Sequence, residues 1–155
     1  MKKILALILL ACTANAVVIS EVSYLSAQSE AIQLLNDQSI AVNISGWTVA
    51  TEISDTDATI PSGTVLSPGQ TYIIADPGWS TNTTPQLSET ITLADTNAGV
   101  ALRNGNGSIV DAVGWGSAEL IGVGLFEGTP HPGRGSLIRT QDTNNNSIDF
   151  MVGPS

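Results

Sequence analysis

Hydrophobic and polar residues alternate in short runs along most of the chain, which is the pattern of β-strands with one buried face. In residues 46–51, Trp47 and Val49 share one face and Thr48 and Ala50 the other, because side chains alternate along a strand. No stretch after residue 16 shows sustained helical periodicity. The strands predicted by such patterns are residues 17–23, 30–36, 40–44, 46–51, 71–76, 89–93, 100–103, 109–113, 136–140 and 149–152.

Turn-forming residues separate these runs. Asn104-Gly105-Asn106-Gly107 lies between two predicted strands and indicates a hairpin, because Asn-Gly adopts positive φ at low cost. In residues 66–70 (LSPGQ), Pro68 and Gly69 occupy the central positions of a type II turn. Residues 114–135 hold many glycines and are expected to form a long irregular loop. Short strands at intervals of about ten residues predict one all-β domain, an antiparallel sandwich over residues 17–155.

The first 16 residues have the composition of a signal peptide. Lys2 and Lys3 precede an apolar run over residues 4–11, and Ala14-Asn15-Ala16 fits a cleavage site between small residues. The mature protein is therefore expected to be secreted, either extracellular or in the cell envelope. Cys12, the single cysteine, gives an alternative, since Leu9-Leu10-Ala11-Cys12 is close to a bacterial lipobox. In that case Cys12 would carry a lipid anchor. No later apolar run is long enough for a transmembrane helix.

Charge narrows the range of partners. Charged residues make up 12% of the chain, well below the ~25% of ordinary domains. Without Lys2 and Lys3, three arginines remain against 14 acidic residues, a net side-chain charge of −11. Such a surface repels phosphate backbones, which argues against nucleic-acid binding. It tolerates cations or a basic partner. The expected secretion makes a protein or glycan of the cell envelope the expected partner.

Four blocks of sequence, taken in order, resemble those of one known family. They are residues 19–22 (ISEV), residues 32–36 (IQLLN) with residues 44–49 (ISGWTV), residues 61–75 (PSGTVLSPGQTYIIA), and residues 100–116 with residues 135–150. The second block is similar to the pairing of "WIELYN" with "DLSGWTL" in lamin tail domains, and the whole resembles the secreted prokaryotic type. The resemblance implies an immunoglobulin-like antiparallel β-sandwich with a recognition or tethering role. It transfers no catalytic residue, because the family has no shared active site.

Oxygen-bearing side chains recur at alternate positions in residues 142–149. Asp142, Asn144, Asn146 and Asp149 could supply the hard oxygens that calcium prefers. The alternative is a tight connection between the last two strands, because Asn and Asp also hydrogen-bond their own backbone. The glycine and the distal glutamate of an EF-hand loop are missing, which favours the turn. No other cofactor is expected.

Catalysis has little support in the sequence. His131, the single histidine, lies in a Pro-Gly loop without a second His or Cys, and it is expected to face solvent. Two suitably spaced carboxylates would suffice for glycoside hydrolysis, and 14 acidic residues make chance pairs plentiful. The resemblance to lamin tail domains implies that Arg139 is structural, and Asp111 is a candidate ion-pair partner for it. The chain is accordingly predicted not to be an enzyme.

Ligand contact is one of the two roles that the sequence leaves open for several apolar residues. Trp79 lies in a polar loop, and Trp115 lies between two glycines at a strand end; exposed tryptophans commonly anchor partners or sugars. Leu125 and Phe126 lie in the glycine-rich loop, where recognition is often found. The alternative is that each tryptophan closes one end of the sandwich. Three functions remain open: a secreted or cell-surface binding or structural module, a carbohydrate-binding adhesin, and a small secreted hydrolase.

Overall fold

The computed structural model describes residues 17–24, 30–79, 83–133 and 135–153. The predicted signal peptide, with Cys12, lies outside the described residues. Within these ranges there is no helix with the length and apolarity needed to span a bilayer.

Short strands dominate the described part of the chain. They are β1 (Val18–Ser23), β2 (Ala31–Leu35), β3 (Val42–Asn43), β4 (Thr48–Thr51), β5 (Ala58–Thr59), β6 (Val65–Leu66), β7 (Thr71–Ala75), β8 (Leu87–Ser88), β9 (Ala98–Arg103), β10 (Ile109–Trp115), β11 (Leu137–Arg139) and β12 (Phe150–Val152). In the described ranges, one 3₁₀ turn covers Ala118–Leu120 and one α-helical turn, α1, covers Asn146–Asp149. The predicted all-β fold class is confirmed.

Two sheets form the immunoglobulin-like sandwich. One has the strand order β12-β11-β1-β2-β7-β8 and the other β10-β9-β4-β5, with β3 and β6 paired separately. The pairs are antiparallel except for β7 with β8. The predicted turns are confirmed: Gly69 has a φ of 72°, and the Gly107 amide donates to the Asn104 carbonyl at 2.8 Å in the β9–β10 hairpin.

Side-chain size alternates along β9 and β10, and this alternation separates two apolar layers. Val100, Leu102, Val113 and Trp115 point into the main core between the sheets. The residues between them on the opposite face are small: Gly99, Ala101, Ala112 and Gly114. The second sheet therefore presents a flat outer surface that another segment can approach closely.

The glycine-rich loop covers that outer surface. Ile121 and Leu125 are buried against Ala101 and Ala112. A Cβ atom at Gly99 would lie 2.1 Å from the Leu125 carbonyl oxygen, so only glycine allows the loop backbone this close. The segment is irregular, as predicted, but it is packed as a second layer on the sandwich.

The predicted strand over residues 89–93 is wrong. The nearest strand is β8, and residues 91–94 run between the sheets without joining a ladder. Ile91 and Leu93 are nevertheless buried, at 2% and 3% exposure. Their alternation, which suggested a strand, reflects burial of both side chains in the main core.

Candidate functional site

A buried ion pair joins the two sheets at the β1–β10 side of the sandwich. A guanidinium nitrogen of Arg139 lies 2.6 Å from the Asp111 carboxylate. The Arg139 side chain is 6% exposed and the Asp111 side chain 0%. The Arg139 Nε–H donates to the Ile19 carbonyl at 2.9 Å, and the Ile19 amide donates to Asp111. The guanidinium also lies over the Phe150 ring. The predicted Arg139–Asp111 pairing is confirmed. Ile19 pairs with Leu34 of β2 but with no residue of β11, and the ion pair bonds its amide and carbonyl instead.

The four candidate calcium ligands have different partners. Asp142 accepts a hydrogen bond from Arg139 at 3.1 Å, and Asn144 lies in the left-handed region at φ 57°. Asp149 is fully buried and accepts from the amides of Thr143 and Asn145. These contacts are those of the alternative interpretation, a loop that hydrogen-bonds its own backbone. The calcium interpretation stays a prediction.

Asn146, the remaining candidate ligand, closes the free edge of β10. Its Oδ1 accepts from the amides of Gly114 and Glu127, at 2.9 and 3.0 Å, and its Nδ2 donates to the Ala112 carbonyl at 2.9 Å. The side chain is fully buried. One amide group thus satisfies three backbone groups and ties the glycine-rich loop to the edge of the sheet.

Trp115 and Leu125 were expected at the surface as ligand contacts, and that expectation of exposure is wrong. Trp115 is 1% exposed, and its ring stacks on Tyr24 with centroids 4.1 Å apart. Its Nε1–H donates to the Ala94 carbonyl at 2.9 Å. Leu125 is 6% exposed under the loop, and Phe126 is half-buried beside it. Trp115 is therefore part of the main core, and Leu125 and Phe126 are part of the apolar layer under the loop.

Trp79 is half-buried. Its ring packs against Ala31, Ile73 and Ala75 on the outer face of the six-stranded sheet, and its Nε1–H donates to the Thr83 carbonyl at 3.1 Å. The remaining part of the ring is accessible. Of the two candidate tryptophans, only Trp79 could stack on a ligand.

His131 does not face solvent as predicted. It is 8% exposed, and its backbone bridges to Trp115 beside β10. Its Nδ1 accepts from the Gly133 amide at 2.9 Å, so that nitrogen is unprotonated. Burial lowers the pKa of His131, which keeps the imidazole neutral. The side chain is a structural contact of the β10 edge.

A cleft of about 340 Å³ lies at one end of the sandwich and was not predicted. Its lining residues are Glu30, Asp76, Pro77, Thr90, Ile91 and Thr92. Glu30 precedes β2 and Asp76 follows β7, one position beyond the Ala31–Ala75 pair of these neighbouring strands. That register places the two carboxyl groups side by side, which the sequence alone could not show without the strand pairing.

The acidic side chains at this end hold the connecting segment between the sheets. Glu30 accepts from the Leu93 amide at 2.9 Å, Asp76 from the Ile91 amide at 2.7 Å, and Glu52 from the Ala94 amide at 2.9 Å. Three carboxyl groups therefore replace the strand partner that residues 91–94 lack. The residues of the cleft can both donate and accept hydrogen bonds, a lining that suits hydroxyl or amine groups.

Electrostatics at the cleft favour a proton on Glu30. Burial raises its pKa from 4.5 to about 7; the Leu93 hydrogen bond opposes the rise, and the charges of Asp76, Glu52 and Asp95 add to it. Burial also raises the pKa of Asp76. Among the described residues, no group of three or more His, Cys, Asp or Glu side chains is arranged to hold a metal ion.

Glu30 should make the fold more stable in mild acid than at neutral pH. Its folded-state pKa is raised, so its contribution is complete below about pH 4.5 and is lost as the pH rises through about 7. Melting temperatures measured from pH 5 to 7.5 should fall with pH, and Glu30→Gln should make that fall less steep. Glu119→Gln, which removes an exposed acid elsewhere, is the matched control. Equal slopes in the wild type and Glu30→Gln would contradict the assignment.

Comparison with protein families finds one match. The model of the Lamin Tail Domain family matches residues 11–117, which is more than half of the chain. Comparison with curated proteins finds no match. The matched region runs through β10 and ends before the glycine-rich loop covers the sheet. This match agrees with the order of the sequence blocks and with the antiparallel sandwich. The chain therefore belongs to the lamin tail domain family.

Proposed function

We propose that this lamin tail domain is a secreted or cell-surface binding module without catalytic activity, which contacts a protein or another component of the cell envelope. Family membership supports an immunoglobulin-like structural or binding domain. The signal-peptide pattern of residues 1–16 supports secretion.

The exposure of two apolar side chains, Leu120 and Val123, supports this function best. These two residues are called the loop tip. Val123 is 103% exposed and Leu120 is 64% exposed, whereas Ile121 and Leu125 beside them are 7% and 6% exposed. The buried pair anchors the loop on the sheet, and the exposed pair projects from it. Exposed apolar side chains contribute little to folding, and loops on a rigid scaffold are frequent binding sites.

The charge of the protein indicates the kind of surface that the partner presents. Of the arginines in the described ranges, Arg139 is buried and Arg103 lies 3.6 Å from Asp55. The described surface therefore offers acidic groups with few cations between them. An apolar partner surface surrounded by basic residues complements such a module.

Substitutions in the loop tip test this function. Leu120→Ser with Val123→Ser should reduce capture of envelope components from the host at least tenfold, because the apolar contact is removed without disturbing buried residues. Ile40→Ser is the matched control, since Ile40 is 68% exposed on another loop. Capture can be measured on immobilised protein, with melting temperatures to confirm folding. Undiminished capture by the loop-tip variant, or an equal loss in Ile40→Ser, would refute the assignment.

A carbohydrate-binding adhesin is the second candidate. The cleft with Glu30, Asp76, Thr90 and Thr92 supports it, together with the accessible part of the Trp79 ring. Carboxyl and hydroxyl groups can hydrogen-bond sugar hydroxyls, and an aromatic face can stack on a sugar ring. Loss of glycan binding in Trp79→Ala at an unchanged melting temperature would favour this candidate. Trp115 is unsuitable for that test because its ring is buried.

A further inference from the structure

The cleft at the end of the sandwich contains two carboxyl groups that the protein uses only in part. Glu30 is 7% exposed and Asp76 is 6% exposed. Glu30 Oε2 accepts from the Leu93 amide at 2.9 Å, and Asp76 Oδ1 accepts from the Ile91 amide at 2.7 Å. The second oxygen of each group, Glu30 Oε1 and Asp76 Oδ2, has no hydrogen-bond partner among the described residues. Two acceptors on buried side chains are therefore available in a cleft of about 340 Å³.

The backbone fixes these two carboxyl groups at one place. The Asp76 amide donates to the Glu30 carbonyl at 3.0 Å, which extends the β2–β7 ladder one position beyond the Ala31–Ala75 pair. The two amides that the carboxyl groups accept, at positions 91 and 93, belong to one short segment on the other side. Both side chains are thus held before a ligand arrives, and binding requires little further ordering of them.

The charges around the cleft are negative throughout the described part of the chain. Asp76, Glu52 and Asp95 act on Glu30, and Asp57 acts on Asp76. No basic side chain of the described residues contributes to the charge at either carboxyl group. This field favours a cation, whereas the hydroxyl groups of a neutral sugar would leave the repulsion between the acids uncompensated.

The free acceptors suit an ammonium group better than other cations. Calcium takes six to eight oxygen ligands, and the cleft offers two free carboxylate oxygens with the hydroxyls of Thr90 and Thr92. A guanidinium binds best through both oxygens of one carboxylate, and here a backbone amide already occupies one oxygen of each. An ammonium group has three donors, which can bond Glu30 Oε1, Asp76 Oδ2 and one threonine hydroxyl separately.

We propose that the cleft binds a primary ammonium group on a short aliphatic stem, either a lysine side chain of a protein partner or a free alkyl amine. Glu30 and Asp76 accept from the ammonium group, and the apolar lining residues, Pro77 and Ile91, contact the stem. The volume lies at the lower end of the range of ligand pockets, ~300–1,000 Å³, which suits one such group. The inference does not depend on the loop tip, whose residues do not line this cleft.

Titration with n-butylamine, followed through the NMR signals of the Ile91 and Leu93 amides, tests the site. At about 0.15 M salt, which screens the general negative charge, both signals should shift with a dissociation constant of about 1 mM. The neutral analogue n-butanol should produce no such shift. Glu30→Gln and Asp76→Asn, which keep an acceptor for the backbone amide, should each weaken binding at least tenfold.

The matched control is Glu119→Gln, which removes an exposed acid elsewhere and should leave the affinity unchanged. Equal shifts with n-butanol, or full affinity in both cleft variants, would overturn the proposal. A loss in Glu119→Gln as large as in the cleft variants would do the same, because it would assign the binding to net charge.

The pH dependence of the affinity provides an independent readout. Burial is the main cause of the raised pKa of Glu30, about 7, whereas an alkyl ammonium group resembles lysine, with a pKa of about 10.4. The affinity should therefore rise about tenfold from pH 6 to pH 8 as Glu30 ionises while the amine stays charged. Glu30→Gln should remove most of this rise. A wild-type affinity that does not change with pH would contradict ion pairing at Glu30.

Further ligands identify the source of the ammonium group. Tighter binding of a lysine capped at both ends than of diaminobutane assigns the cleft to a partner's lysine, and the reverse order assigns it to a free amine. Displacement of n-butylamine by maltotriose would overturn the proposal in favour of a neutral sugar. Leu120→Ser with Val123→Ser should leave amine binding intact, so a failure of the cleft and a failure of the loop tip are distinguishable.

Discussion

Replacing Arg139 with methionine is expected to lower the free energy of unfolding by about 3–5 kcal/mol, the usual cost of leaving a buried charge without its partner. The guanidinium is the only cation that contacts Asp111 among the described residues, and Asp111 is fully buried. The substitution also leaves the Ile19 carbonyl without its donor. Urea unfolding followed by circular dichroism gives the measurement, provided that the slope with urea is unchanged.

Arg103→Met is the matched control. Arg103 lies 3.6 Å from Asp55, whose side chain is 94% exposed, and exposed pairs contribute about 0–1 kcal/mol. Adding Asp111→Asn to Arg139→Met should recover part of the lost stability, since the unpaired charge is removed and an acceptor for the Ile19 amide remains. Burial already raises the pKa of Asp111 to about 6 although Arg139 opposes the rise, so a loss below about 1 kcal/mol in Arg139→Met would show that Asp111 takes up a proton instead of staying charged.

Asn146→Ala is expected to lower the free energy of unfolding by about 3 kcal/mol or more. It leaves the amides of Gly114 and Glu127 and the Ala112 carbonyl without their partner, at about 1–3 kcal/mol for each group that stays buried. The cost is smaller than the sum if the loop opens and water reaches these groups. Unfolding in urea measures the loss, and faster hydrogen exchange at Gly114 would locate it at the edge of β10.

Two further substitutions make that result specific. Asn106→Ala removes an exposed asparagine from the β9–β10 turn and should change stability by less than about 0.5 kcal/mol. Asn146→Asp keeps an acceptor for the two amides, and its protonated carboxyl group can still donate to the Ala112 carbonyl. Its loss should therefore be smaller than that of Asn146→Ala at a pH low enough to keep the introduced carboxyl group protonated. An Asn146→Ala protein as stable as Asn106→Ala would mean that the edge of β10 is closed by other groups.

The strands and turns were largely predictable because their signals are local. Alternation in residues 46–51 and 109–113 and the Asn104–Gly107 turn each depend on neighbouring residues, and the structure contains the corresponding strands and hairpin. The prediction failed at residues 89–93, where two alternating apolar side chains are buried without a ladder. Periodicity reports which side chains are buried, and it does not report what their backbone amides are bonded to.

The residues of the candidate site were less predictable because their surroundings come from distant parts of the chain. Trp115 and Leu125 lie in sequence contexts typical of exposed loops, and both are buried by segments far along the chain. A local signal was present in the small residues on one face of β9 and β10. Gly99 with Ala101, and Ala112 with Gly114, indicate that a covering segment lies on that face.

By itself, the sequence determined the all-β fold class, the family and the hairpin at Asn104–Gly107, because alternation and turn chemistry are properties of the residue order. It offered Asp111 only as a candidate partner for Arg139, and the structure shows that pair. Only the tertiary structure decided which acids line one cleft and which polar groups close an edge of the sheet. Glu30 meets Asp76 through the register of β2 with β7, and Asn146 reaches the edge of β10 because the connection before β12 folds back on the sheet. Burial and proximity set the pKa of a carboxyl group, and both arise only when distant segments pack together.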